Sequence, residues 1–161
     1  MGRPMTNREF LALFEKELYI PELDAGNKQE VLEEFVELLH REERVFDKDI
    51  VLDMLLKREN LGSTALGNGL AIPHGRTLTT RKLVVAFGKC TQGLDFDAPD
   101  GKPVHLFFLI IAPYREKQDQ YLPTLGKIAE FFRKKRLREK VLQVSNFEEF
   151  VDVLSSEAES A

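Results

Sequence analysis

Residues 104 to 112 read VHLFFLIIA, a run apolar on both alternating sides and broken only by His105. A strand written this way has no face it can show to water. It belongs in the interior of a sheet covered by helices on both faces. Leu83-Val84-Val85-Ala86-Phe87 reads as a second strand, and the intervening DFDAPDGKP is turn chemistry rich in Asp, Gly and Pro. Helical periodicity surrounds this pair. Phe10, Leu11, Phe14 and Leu18 predict a first helix over residues 7 to 18, ended by Tyr19-Ile20-Pro21. Asn27 with Glu30 resembles a capping box that opens a helix to about His40, with Val31, Leu32, Phe35, Val36 and Leu39 inward. Asp47 can cap a third helix, with Ile50, Val51, Met54 and Leu55 inward, that runs out near Arg58-Glu59. Beyond the strands, a helix starts near Tyr121 with Leu122, Leu125, Ile128, Ala129 and Phe132 inward, and Pro123 is tolerated in its first turn. Two shorter helices follow, about 134 to 143 and 146 to 154, before a tail, SSEAESA, that should fray.

With neither repeat nor linker, 161 residues make one α/β domain with helices on both faces of its sheet. The domain is expected over residues 5 to 154, with 1 to 4 a cloning remnant and 155 to 161 a frayed end. No apolar run approaches the roughly 18 residues of a membrane span. The opening MGRPM has no secretory hydrophobic region. Cys90 is the only cysteine, which excludes an internal disulfide and suits a reducing cytoplasm. A net charge of −4 argues against general nucleic-acid binding. The basic segment FFRKKRLREK (131 to 140) is read as a solvated helix end that complements the helix dipole.

Four of the ten glycines, Gly62, Gly67, Gly69 and Gly75, fall within LGSTALGNGLAIPHGRT, residues 61 to 77. Such clustering marks a loop of unusual backbone angles. It holds His74 between a rigid Pro73 and an open Gly75. No Gly-Lys-Ser/Thr closes the loop and no dinucleotide fingerprint fits its spacing. His40, His74 and His105 lack ligand spacing, so no metal site is expected. Nothing marks Ser63 as a hydrolase nucleophile. A neutral imidazole can itself attack and form a covalent intermediate. Phosphate is a suitable guest. Glycine-rich turns can gather N–H groups, Ser63 and Thr64 can donate, and Arg58 offers a planar fork. From these residues alone, a phosphoryl acceptor and a plain turn histidine both stay open.

RENLGSTALGNGLAIPHGR (58 to 76) resembles the active-site signature of type 2 enzyme IIA domains of the bacterial phosphoenolpyruvate-dependent phosphotransferase system. GLDFDAPDGKPVHLFFLIIAP (93 to 113) resembles the sheet region of the same family, and the likeness extends over nearly all of residues 5 to 153. The resemblance implies a mixed sheet between helices. It makes His74 the phosphoryl acceptor, charged by phospho-HPr and discharged to a IIB domain, and Arg58 the residue that steadies the phosphate. It puts Gly62, Ser63 and Thr64 beneath the ring, and Asn68 in the glycine turn. Family members carry a second histidine where Tyr121 stands here, and a tyrosine can donate a hydrogen bond but cannot become cationic. His105 is read as structural. A phosphotransferase component of the cytoplasm is expected, without cofactor, nucleic acid or membrane insertion. With no fused IIB or IIC domain in the sequence, the nitrogen-regulatory branch is slightly favoured over sugar uptake. The alternatives are a non-catalytic module whose regulatory partner responds to His74 phosphorylation, and an inert member. Leu66 and Leu70 are the candidates for an apolar docking rim.

Overall fold

The computed structural model describes residues 4–160. In chain order its elements are α1 (Asn7–Leu11), β1 (Phe14–Ile20), α2 (Lys28–Arg41), α3 (Lys48–Leu61), β2 (Ala65–Gly67), β3 (Leu70–Ala71) and β4 (His74–Thr77). β5 (Val84–Leu94), β6 (Val104–Pro113), α4 (Tyr121–Phe131), α5 (Lys135–Gln143) and α6 (Phe147–Glu159) complete it. The sheet runs β1-β5-β6-β3-β2, with β4 also paired to β6. It is mixed: β5 lies antiparallel to β6, and β1 parallel to β5. β3 and β4 lie parallel to successive stretches of one side of β6.

The doubly apolar run does what its composition demands. Phe107, Leu109 and Ile111 join a core with Phe35, Leu39, Val51 and Leu55 of α2 and α3. Leu106, Phe108 and Ile110 join the opposite core with Phe10, Ile128, Leu137 and Phe150 from the other four helices. Aromatic rings fill that second layer. Phe87 lies 4.5 Å from Phe150, and Phe108 lies 4.9 Å from Phe132. The α/β class with helices on both faces therefore holds.

Several local expectations do not. The predicted helix over 7 to 18 stops at Leu11, and Phe14–Ile20 is a strand. A spacing of four residues, as between Phe14 and Leu18, satisfies both a helix and a strand. The parallel partner β5 decides the matter. Ile50 is exposed and Met54 only half-buried, so α3 buries a narrower face through Val51 and Leu55. Leu122 is also exposed, and Thr124 takes the inward position on α4. The tail expected to fray continues α6 to Glu159, with Ala158 packed on the core. Of the remnant proposed at residues 1 to 4, residues 1 to 3 lie outside the described residues.

The caps are more faithful to the sequence. Asn27 accepts from the Glu30 amide, although the Glu30 carboxylate accepts from Gly26 and not from Asn27. Asp47 accepts from the amides of Asp49 and Ile50. In the basic segment, Leu137 and Val141 are buried while Lys135 and Arg136 stay in water. Arg138 donates to the Phe132 and Arg133 carbonyls just past α4, where a cation complements the helix dipole.

Candidate functional site

Asn68 (φ 58°) and Gly69 (φ 78°) turn β2 back onto β3, the two positive φ angles that a two-residue hairpin needs. From Leu70 to Thr77 the chain then runs along β6, interrupted by Ile72-Pro73. Proline has no N–H for the ladder, but its carbonyl still accepts from the Ile110 amide at 3.0 Å. His74 thus opens β4 at a fixed height beside Ile110.

The imidazole is half-buried, and its Nδ1 lies 2.6 Å from the Ile72 carbonyl oxygen. A carbonyl can only accept, so Nδ1 is the donor, and in the neutral ring Nε2 then carries the lone pair. That is the tautomer of a nucleophile.

His74 lines an open cleft of about 600 Å³ at the edge of the sheet, between α3 and the start of α4. Arg58 from the last turn of α3, Arg76 two residues along β4, and Tyr121 from the first turn of α4 join it there. The His74 and Tyr121 ring centroids are 6.1 Å apart. Arg76 lies with Cζ 4.4 Å above the Tyr121 ring, and its Nη1 donates to the Pro113 carbonyl at 3.1 Å. Arg58 Nη1 donates to the Gly62 carbonyl at 2.8 Å. Burial pushes the Tyr121 hydroxyl above its usual value, and Arg76 and Arg58 offset this only in part. It therefore stays protonated as a donor. The cleft's carboxylate, Asp53, is held by Lys57 at 2.9 Å.

Gly75 has a different purpose from the open hinge its sequence suggests. A Cβ there would fall 2.0 Å from Met54 Sδ. The missing side chain lets α3 lie against β4, and so brings Arg58 to the same cleft as His74.

The structure does not bring Ser63, Thr64 or Asn68 to this cleft. The Ser63 hydroxyl donates to the Phe96 carbonyl at 2.5 Å. The Thr64 hydroxyl donates to the buried Glu59 carboxylate, which also accepts from the Thr64 amide and pairs with Lys28 Nζ at 2.9 Å. The Asn68 backbone N–H donates to Asp100. Gly62 touches the site only through its carbonyl, which holds Arg58. These residues shape the loop from below, and the hydroxyls of Ser63 and Thr64 are already used. Leu70 is buried core, so it cannot belong to a docking rim; Ile50, Leu61 and Tyr114 are the exposed apolar residues at the cleft.

His105 sits far down β6 from Ile110, its Nδ1 against the Cys90 and Thr91 carbonyls and its ring against Gly93. Its place is structural. Arg76 was not singled out from the sequence. The signal was available, because alternate residues of a strand share a face and His74 and Arg76 are two apart.

Among the described residues, no helix is long and apolar enough to cross a membrane, and no three His, Cys, Asp or Glu side chains gather as metal ligands would. Residues 12–157 match the family model described as "Phosphoenolpyruvate-dependent sugar phosphotransferase system, EIIA 2". The chain is 35% identical over 143 residues to a fructose-specific EIIA component of Haloferax volcanii, covering 89% of this chain and 92% of that protein. It is 36% identical over 129 residues to a nitrogen regulatory protein of Bradyrhizobium diazoefficiens, covering 78% and 80%. Among solved structures, the nitrogen regulatory protein IIA-Ntr of Neisseria meningitidis superposes with a TM-score of 0.81. That match is 36% identical over 89% of this chain and 97% of the other.

Proposed function

The chain belongs to the EIIA 2 family of the phosphoenolpyruvate-dependent sugar phosphotransferase system, and from that premise we propose that His74 is its phosphoryl acceptor. The observation that carries this is the hydrogen bond from His74 Nδ1 to the Ile72 carbonyl, which leaves Nε2 as the free nitrogen. The donor is a phosphohistidine of the carrier protein HPr. Its P–N bond breaks, and the electron pair returns to the donor ring. A new P–N bond forms from the Nε2 lone pair, while the Nδ1 proton stays against Ile72. Phosphoryl transfer needs in-line positioning and neutralisation of charge on the oxygens. Arg58 and the Tyr121 hydroxyl are suited to both, so the step calls on no metal or cofactor.

Ile50, Leu61 and Tyr114 are 53%, 86% and 61% exposed around the cleft. An apolar rim of this kind suits a protein partner that must bring its own phosphohistidine or acceptor close to the ring. The phosphoryl group is passed on to a IIB domain, or its presence on His74 is read by a regulatory protein. Either outlet lies in the cytoplasm.

Incubation with phosphoenolpyruvate, enzyme I and HPr tests the proposal by intact mass. One phosphoryl adduct that is lost in mild acid, as a phosphoramidate is, supports it. No adduct, or one that survives acid, contradicts it.

A further inference from the structure

We propose that Arg76 is a second guanidinium on the transferred phosphoryl group, aimed by the ring of Tyr121, and that the two residues act as one unit. This rests on His74 being the acceptor. Strand alternation puts Arg76 on the same face of β4 as His74. The Tyr121 ring neighbours both, with the imidazole centroid at 6.1 Å and the guanidinium carbon at 4.4 Å. A guanidinium over an aromatic face is held by cation–π attraction while its remaining N–H groups can still donate. Among the described residues Arg76 has no carboxylate partner, and the Pro113 carbonyl takes only Nη1. The nearby carboxylate, Asp53, is paired with Lys57.

The consequence is chemical. Arg58 reaches the cleft from the helix side and Arg76 from the strand side, so three phosphoryl oxygens can be met by two forks and one phenol. Tyr121 cannot carry positive charge, but the arginine stacked on it always does. As the donor's P–N bond breaks and the bond to Nε2 forms, charge stays on those oxygens throughout. A preset cation on each side lowers the barrier without itself gaining or losing a proton.

The test is the rate of phosphoryl transfer from phospho-HPr to wild type, Arg76→Ala, Arg76→Lys, Tyr121→Leu and the Arg76→Ala/Tyr121→Leu double variant, with His74→Ala as control. Melting temperatures are measured alongside. Arg76→Ala is expected to slow transfer about 100-fold, the size typical of removing one preset donor, with the fold intact. Arg76→Lys keeps the charge but loses the fork and the stack, and recovers part of the rate. Added guanidinium ion restores part of the rate to Arg76→Ala, which a merely structural defect would not allow. Tyr121→Leu leaves the guanidinium unaimed, and the double variant falls little below the worse single variant because the two act together. Transfer to Arg76→Ala at the wild-type rate, with His74→Ala unlabelled, overturns the role of Arg76 and leaves the acceptor standing. Equal labelling of His74→Ala and wild type overturns the acceptor, and the role of Arg76 with it.

Discussion

His74→Ala is expected to accept no phosphoryl group from phospho-HPr under conditions that label the wild type completely. The loss should be total because, among the described residues, no other imidazole lines the cleft. His40 is exposed at the end of α2, on another part of the surface. His105 has its Nδ1 against two carbonyls and its ring against Gly93. The hydroxyls of Ser63 and Thr64 donate to Phe96 and Glu59. Truncating a half-buried ring with one hydrogen bond costs stability of about 1 kcal/mol, too little to unfold a domain of this size. Unchanged circular dichroism with no adduct is the predicted pair of results. Labelling of the variant to the wild-type level would move the acceptor elsewhere.

Glu59→Ala, at the end of α3, should have a large effect on stability, about 3 kcal/mol by urea denaturation. Glu59 is 7% exposed and serves three donors: the Thr64 amide at 3.2 Å, the Thr64 hydroxyl and Lys28 Nζ at 2.9 Å. Removing the carboxylate leaves the buried Thr64 groups unmatched and Lys28 with only the exposed Asp97. Glu59→Gln, which can still accept from Thr64, should lose much less. Transfer should slow as well. The loop that Glu59 fastens carries the Gly62 carbonyl, which holds Arg58. The pH dependence has a definite sign. Burial lowers the Lys28 value, but its hydrogen bonds to Glu59 and Asp97 outweigh that and leave it raised. The contribution of the Lys28 contacts is therefore whole below the ordinary lysine value, about 10.4, and is lost as pH rises through the folded value. Wild type and Glu59→Ala should differ by a constant amount from pH 7 to 9, and the gap should narrow only in stronger alkali, the part due to Thr64 remaining.

Some elements could be read from the chain because one local rule decided them. The two apolar sides of β6 admit only an interior strand, and Asn27 and Asp47 mark their helices as caps. The glycine cluster pointed to His74 before any partner was known. Other elements were settled by residues distant in sequence. β1 is a strand because β5 lies beside it, while its own Phe14 and Leu18 satisfy either periodicity. β3 and β4 are strands because β6 supplies their hydrogen bonds, in a stretch whose glycines and proline argue for a loop. Ser63 and Thr64 have the chemistry of phosphate donors, but a buried Glu59 and the Phe96 carbonyl claim their hydroxyls first. Arg76 acquires its significance from Tyr121 on α4, and Gly75 from Met54 on α3. None of these pairs is visible along one stretch of sequence.

Nitrogen NMR of the protein carrying ¹⁵N-labelled histidine, before and after phosphorylation by the relay, bears most directly on the imidazole as nucleophile. In the free protein His74 should show a protonated Nδ1 and a lone-pair Nε2. After transfer the phosphorus coupling should appear on Nε2, with the Nδ1 proton retained and protected by the Ile72 carbonyl. Coupling to Nδ1, or to neither ring nitrogen of His74, would contradict the account.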